Sequence, residues 1–156
     1  MLIGHGWDLH QHSENRKLTL GGVSFDEDGF EGHSDGDILL HALCDALLGA
    51  TGKKDLGHYF PSNESTPKDI SSTKILSEIL SVIEYDKFIL TNVDITIISE
   101  KFNVQDKAEK IQKNLSKLLE VPIEKINIKG KSSDEYGIIG DQKASLAIVS
   151  LLLDDA

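Results

Sequence analysis

Ala144 to Leu153 is almost unbroken in apolar residues, so any fold of this chain has to enclose it. Such a run reads as a strand buried on both faces, although a short apolar run of this length also suits a helix. Two other periodicities surround it. In residues 2–10, Ile3, Trp7 and Leu9 fall on one face of a period-two strand, and Asp8 and His10 fall on the other. Leu18–Leu20 and Val23–Phe25 read as short strands joined by a tight turn at Gly21-Gly22, and the acidic, glycine-containing stretch Asp26–Asp37 suits a mobile loop. From Asp37 to about Gly49 the spacing turns helical through Leu40, Ala42, Leu43, Leu47 and Leu48. Ser34, Asp35 or Gly36 is available as the start signal, and Gly49 or Gly52 as the stop. After a polar loop at Ser65–Lys68, Ile75, Leu76, Ile79, Leu80 and Ile83 form a second helical stripe. Ala108, Ile111, Leu115 and Leu118 form a third. Val93, Ile95 and Ile97, then Ile126 and Ile128, alternate as strands, and Gly137 and Gly140 bracket a turn. This order predicts an α+β fold, an α/β sandwich with helices packed on one face of a mixed β-sheet, in one domain spanning 1–156.

Charge narrows the partners. With 26 acidic against 16 basic residues the net charge is -10, which repels nucleic acid and anionic membranes at long range. A phosphate held by this chain therefore needs a metal, backbone N–H groups or a few well-placed cations. The single cysteine, Cys44, excludes an intrachain disulfide and reads as a small hydrophobe in a helix. The N-terminus shows no basic region followed by a long apolar run. The expected location is cytoplasmic, or a plastid-type organelle if a targeting peptide has been removed.

Three groups of residues carry chemistry. Asp8 and His10 project from one side of a strand and can chelate a metal through an oxygen and an imidazole nitrogen; the plain alternative is a solvated strand face. Asp37, His41 and Asp45 follow at helical spacing, which by itself also describes a solvated helix face. If His41 joined Asp8 and His10, three protein ligands would leave a fourth position open, as in catalytic zinc sites. His5 shares the apolar face with Trp7 and is expected to pack there. His12 is a substitute ligand, and His58 lies in a glycine-containing loop that either clasps a polar ligand or simply connects. The third group, Lys129-Gly130-Lys131-Ser132-Ser133-Asp134-Glu135-Tyr136-Gly137, offers cations, hydroxyls and carboxylates without the nucleotide-binding P-loop pattern.

Together, I-G-H-G-W-D-L-H, H-S-D-G-D-I-L-L-H-A-L-C-D-A-L-L-G, D-L-G-H-Y-F-P, N-V-D-I-T-I-I and K-G-K-S-S-D-E-Y-G resemble the 2-C-methyl-D-erythritol 2,4-cyclodiphosphate synthases over essentially the whole chain. The resemblance implies a homotrimer with active sites between neighbouring subunits, in the non-mevalonate isoprenoid precursor pathway. The implied substrate is a small diphosphocytidyl molecule, 4-diphosphocytidyl-2-C-methyl-D-erythritol 2-phosphate, cyclised with release of CMP. Asp8, His10 and His41 would hold Zn²⁺ or another divalent transition metal, and Asp134 would hold Mg²⁺. His33 and Ser132 would act in catalysis. Ser34, Asp55, Leu56, Gly57, Phe60, Pro61, Ser62, Asn63, Glu64, Lys101, Lys131 and Ser133 would bind substrate, and Asp37 and Asp45 would support the ligands or the structure.

The chain departs from the family pattern in several places. Ser99 to Gln105 lacks the proline-lysine pair usual in the cytidine loop, so Lys101 or Lys131 would have to supply that charge. Asp134 is one methylene shorter than the usual glutamate, a change of roughly 1.5 Å in reach. Ile138 and Asp141 replace an aromatic residue and an arginine in many relatives' central cavity, which predicts poor binding of an isoprenoid diphosphate. A metal-dependent phosphoesterase and a non-catalytic metal-binding paralogue are the competing expectations.

Overall fold

In the computed structural model, which describes residues 1–156, the chain is organised around β1 (Leu2–Leu20), a strand of 19 residues. Gly21 and Gly22, with φ of 61° and 75°, turn it into β2 (Val23–Phe30); glycine reaches these left-handed angles without a Cβ penalty. β1 changes partner along its length. Leu2 to Gln11 pair antiparallel with β5 (Ala144–Asp155), and His12 to Leu20 pair with β2 across register shifts on either side of Lys17. β5 also pairs antiparallel with β3 (Phe88–Ile98), and β3 pairs in parallel with β4 (Ile126–Lys131). The sheet order is β2-β1-β5-β3-β4, mixed as expected.

Helices cover one face. α1 (Ile38–Ala50) lies on β1 and β5, and α3 (Ser72–Val82) packs on α1. α4 (Gln105–Leu119) covers β4 and touches β2. Two short turns of helix, α2 (Leu56–Tyr59) and α5 (Gly137–Gly140), punctuate the loops. α1 is buried along nearly its whole length because it lies between the sheet and α3, and one continuous cluster of 32 buried apolar residues joins all three layers. No helix is long and apolar enough to cross a membrane.

Several expectations change. The strand read as residues 2–10 continues to Leu20, and the stretch read as a mobile loop is still strand as far as Phe30. The helix is capped by none of Ser34, Asp35 or Gly36. Asp37 is the cap, accepting from Leu40 N–H at 3.0 Å while its other contacts, Gly21 N–H at 3.0 Å and Gly22 N–H at 2.7 Å, tie the hairpin turn to the helix start. Asp37 therefore does not share an exposed face with His41 and Asp45.

The inward face of β1 is also the reverse of the expected one. Gly4 and Gly6 face α1, where a Cβ would lie 2.0 Å from the Ala46 carbonyl oxygen and 2.2 Å from that of Ala42. Ile3 and Trp7 point away, 74% and 62% exposed. The helix axis comes so close to the strand that only glycine fits between them. His5 accordingly is exposed, bonded to Ser150 Oγ at 3.0 Å, instead of packed. β5 alternates too: Ala147, Val149, Leu151 and Leu153 are buried, Leu146, Ile148 and Leu152 only half-buried, so a single chain covers one face of that strand.

Candidate active site

Asp8 and His10 project from β1 toward α1, and His41 comes down from the first turns of α1 to meet them. Asp8 Oδ2 lies 3.0 Å from His10 Nδ1 and 3.0 Å from His41 Nδ1. One donor atom from each residue falls within 4.8 Å of the others, the span of ligands around a single ion. His10 Nδ1 is buried and, though close to Asp8, has no hydrogen-bond partner. A buried polar atom left unpaired costs about 1–3 kcal/mol, so one aimed into a cluster of ligand atoms fits a site shaped for a cation. An Asp-His-His set with an open side suits zinc, and also manganese or cobalt.

The surrounding field favours positive charge here. Burial pushes the Asp8 carboxyl up, but the two imidazoles beside it outweigh burial and hold it below the ordinary carboxylate range. Burial pushes His41 down, while the Asp8 carboxylate against its ring, with the charges of Asp37 and Asp35, raises it above the usual imidazole value. Asp45, one turn further along α1, is pushed up by burial and by the charges of Asp55 and Asp8, with the Leu56 N–H donating to it at 2.7 Å in the opposite sense.

Asp8, His10 and His41 line a cavity of about 230 Å³, together with His33 and Ser34. His33 Nε2 bonds the Thr66 carbonyl at 2.7 Å, which fixes the ring, and Arg16 donates to the Ser34 carbonyl at 2.7 Å and pairs with Asp69. Leu56, Gly57, Phe60 and Ser62 also line the cavity, held against α1 by the Leu56–Asp45 bond. Asp55 stands at the start of α2 without lining the cavity. Pro61, Asn63 and Glu64 continue the same loop outside it, with Asn63 and Glu64 exposed.

The remaining expected residues are not gathered with the ligands. Lys131 and Ser132 line a separate cavity of about 380 Å³ with Ser99, Glu100 and Phe102. Glu100 organises its rim: its carboxylate accepts from Ser133 N–H at 2.7 Å and Ser133 Oγ at 3.3 Å. Asp134 sits beside Ser132 at a left-handed φ of 52°, its N–H donating to Ser132 Oγ at 2.8 Å. Lys101 is paired with Asp28 on β2 at 2.9 Å. Neither His12 nor His58 reaches the ligand cluster; His12 Nε2 bonds Ser145 Oγ at 2.9 Å, and His58 is exposed.

Sequence reasoning missed Arg16, Thr66 and Ser72. Ser72 Oγ lies 3.0 Å from His41 Nε2, opposite the nitrogen that faces Asp8. An arginine ahead of the Gly-Gly turn gave no chemical signal, because its partners, the Phe30 and Ser34 carbonyls and the Asp69 carboxylate, are distant in sequence.

Comparison with known proteins finds relatives over the whole length of the chain. The family model described as the YgbB family matches residues 1–154. A 2-C-methyl-D-erythritol 2,4-cyclodiphosphate synthase of Brachyspira hyodysenteriae is 42% identical over 154 residues, covering 97% of this chain and 98% of that protein. One from Listeria monocytogenes is 40% identical over 152 residues, covering 96% and 97%. Among solved structures, the bifunctional IspDF of Campylobacter jejuni superposes with a TM-score of 0.93 at 31% identity; this chain is covered over 99% of its length and spans 42% of that longer one. The Plasmodium falciparum IspF in complex with CDP gives a TM-score of 0.85 at 34% identity, with 99% and 96% covered. On full-length agreement of sequence and fold, the chain belongs to the YgbB family.

Proposed function

We propose that this chain converts 4-diphosphocytidyl-2-C-methyl-D-erythritol 2-phosphate to 2-C-methyl-D-erythritol 2,4-cyclodiphosphate and CMP. The observation that carries this reading is the Asp8–His10–His41 cluster in a cavity also lined by the His33-Ser34 and 56–62 loops. In the reaction an oxygen of the 2-phosphate bonds to the β-phosphorus. The bond from that phosphorus to the bridging oxygen breaks, and its electron pair leaves with CMP. The nucleophile is already anionic, so the protein has to align it and offset charge, not remove a proton.

Asp8, His10 and His41 would hold a divalent ion, zinc being the best match to their donor set, and it would supply positive charge at the β-phosphate. Charge offset is a real requirement in a chain of net charge -10 with Asp8 and Asp45 beside the cavity. His33, its ring held by Thr66, and Ser34, its backbone held by Arg16, would orient the 2-phosphate. The Leu56-Gly57 segment, which lines the same cavity, would meet the erythritol hydroxyls. Ser132 would contact the phosphates from the second cavity, and Asp134, bonded beside it, would bind Mg²⁺, with Lys101, Lys131 and Ser133 around the cytidine end.

That division of the expected site between two cavities, with the outward apolar face of Ile3, Trp7 and Leu9, supports a homotrimer in which neighbouring copies complete each site. A light-scattering mass of three times 17.1 kDa is expected. For the activity, the purified protein is incubated with the substrate, Zn²⁺ and Mg²⁺, beside a His41→Ala control. Phosphorus resonances of a cyclic diphosphate with equimolar CMP, formed only by the unmodified chain, are expected. CMP with an uncyclised 2,4-bisphosphate would instead indicate a phosphoesterase, and metal uptake without turnover a non-catalytic paralogue.

A further inference from the structure

We propose that Ser72 and Asp35 are positioning residues for the metal, forming a relay that holds His41 with its proton on Nε2 and its Nδ1 open to a divalent cation. The inference rests on the reading of Asp8, His10 and His41 as a metal site and adds two residues outside that ligand set.

His41 Nδ1 faces Asp8 at 3.0 Å, so Nδ1 is the atom available to an ion. A neutral imidazole that binds through Nδ1 must carry its proton on Nε2. Two hydroxyls stand before that nitrogen, Ser34 Oγ at 3.1 Å and Ser72 Oγ at 3.0 Å. They are not equivalent. Ser72 Oγ donates its own proton to Asp35 Oδ1 at 2.5 Å, so its lone pairs are left to accept from His41. Ser34 Oγ accepts from Gly36 N–H at 3.2 Å, and no carboxylate takes its proton, which leaves that hydroxyl proton free for a substrate oxygen.

The far end of the relay is anchored. Asp35 Oδ2 accepts the Ser72 N–H at 2.9 Å, and Asp35 Oδ1 accepts the Asp37 N–H at 3.2 Å. The carboxylate thus sits against the positive end of α3, where negative charge is favoured. Ser72 is fully buried, so water does not compete for its hydroxyl. The adjacent Ser71 does the capping work of α3, accepting from Lys74 N–H at 3.3 Å, which leaves Ser72 free for a task other than starting the helix. A carboxylate bonded to the outer nitrogen of a metal-bound histidine orients the ring and raises its basicity; here a serine hydroxyl carries that influence from Asp35 to His41.

The test is zinc affinity, measured by competition with a chromophoric chelator for the unmodified chain and for Ser72→Ala, Ser72→Thr and Asp35→Asn. Ser72→Ala is expected to lower zinc affinity roughly 10- to 100-fold and Ser72→Thr, which keeps the hydroxyl, to remain within about threefold. Equal affinity in Ser72→Ala and the unmodified chain would overturn the relay while leaving the metal site standing; no zinc uptake by the unmodified chain would remove both. A readout independent of variant folding is the His41 ring in ¹⁵N-labelled, zinc-loaded unmodified protein, since without metal the Asp8 carboxylate, an acceptor only, would itself draw the proton to Nδ1. A proton on Nε2, protected from exchange, is expected, and a proton on Nδ1 would overturn the proposal.

Discussion

Replacing Gly6 by alanine tests whether the approach of α1 to β1 sets the metal site. A Cβ at Gly6 would stand 2.2 Å from the Ala42 carbonyl oxygen and 2.7 Å from the Ala46 N, both backbone atoms of α1 that no rotamer change can move. Ordinary contact begins near 3.4 Å, so the helix has to retreat by the difference, about 1.2 Å. His41 immediately precedes Ala42 on α1, and Asp8 lies two residues beyond Gly6 on β1. A retreat of that size therefore opens the ligand cluster, whereas metal sites tolerate only about 0.2 Å in ligand distance. Gly6→Ala is expected to cost about 1–3 kcal/mol in stability by overpacking, and to weaken zinc binding at least as much as loss of an outer hydrogen-bond partner, roughly 100-fold. Urea unfolding of the metal-free protein and calorimetric zinc titration measure the two effects. Gly49→Ala is the matched control: its nearest neighbour across the gap is the His5 carbonyl oxygen at 3.9 Å. That helical substitution should add about 0.5–1 kcal/mol without touching zinc affinity. A Gly6→Ala protein with unchanged unfolding midpoint and unchanged zinc affinity would refute the idea that this contact sets the ligand geometry.

Four further outcomes are expected. Arg16→Met removes the donor that joins the Phe30 and Ser34 carbonyls and the pair with Asp69; kcat should fall roughly 10- to 100-fold through misplacement of the 33–34 loop, with zinc affinity retained, and unchanged kinetics would argue against the clamp. Asp37→Ala strands three N–H groups, at Gly21, Gly22 and Leu40, and should lower the unfolding free energy by about 3–5 kcal/mol; Asn, with one acceptor oxygen, should restore only part of it. Burial pushes the Tyr85 hydroxyl up to about 12, and it donates to the Leu119 carbonyl at 3.2 Å. The folded chain then keeps a proton that the unfolded chain loses from about pH 10. Tyr85 should therefore contribute stability below pH 10 that declines toward pH 12, and Tyr85→Phe should flatten that decline; identical pH slopes would contradict it. Geranyl diphosphate should bind weakly, because Ile138 is 52% exposed where an aromatic residue is common and Asp141 presents a carboxylate that only Lys143, at 3.1 Å, offsets; tight binding by titration would overturn this.

The elements were legible because their periods differ, but the period of a strand does not say which of its two faces is inside. In β1 the apolar set Ile3, Trp7 and Leu9 looked like the buried face on hydrophobicity alone. Gly4 and Gly6 were the better indicator, since two glycines at alternate positions leave a groove that a helix backbone can enter. The same problem appears at the hairpin. Asp26 and Asp28 read as loop composition, yet Asp28 is held in β2 by its pairing with Lys17 and by the Lys101 ion pair. Contacts of that range leave no trace in local composition.

The site was legible to the degree that its chemistry is narrow. Few side chains chelate a transition metal, and an Asp-x-His strand with a distant helical histidine limits the combinations, so Asp8, His10 and His41 stood out before they were seen to converge. Hydroxyls carry no such signature. Ser71 and Ser72 are adjacent, chemically identical and both at the start of a helix. One of them bonds its own helix, which local sequence explains. The other faces Asp35, 37 positions away, and His41, 31 positions away. What separates the two serines is the roughly 100° between successive side-chain directions around a helix and the way α3 lies against α1. That packing is fixed by Ile75, Leu76 and Ile79 entering the shared core. The burial of one helix face thus decides which serine reaches His41, so a change in that packing should act on metal affinity before it acts on any ligand.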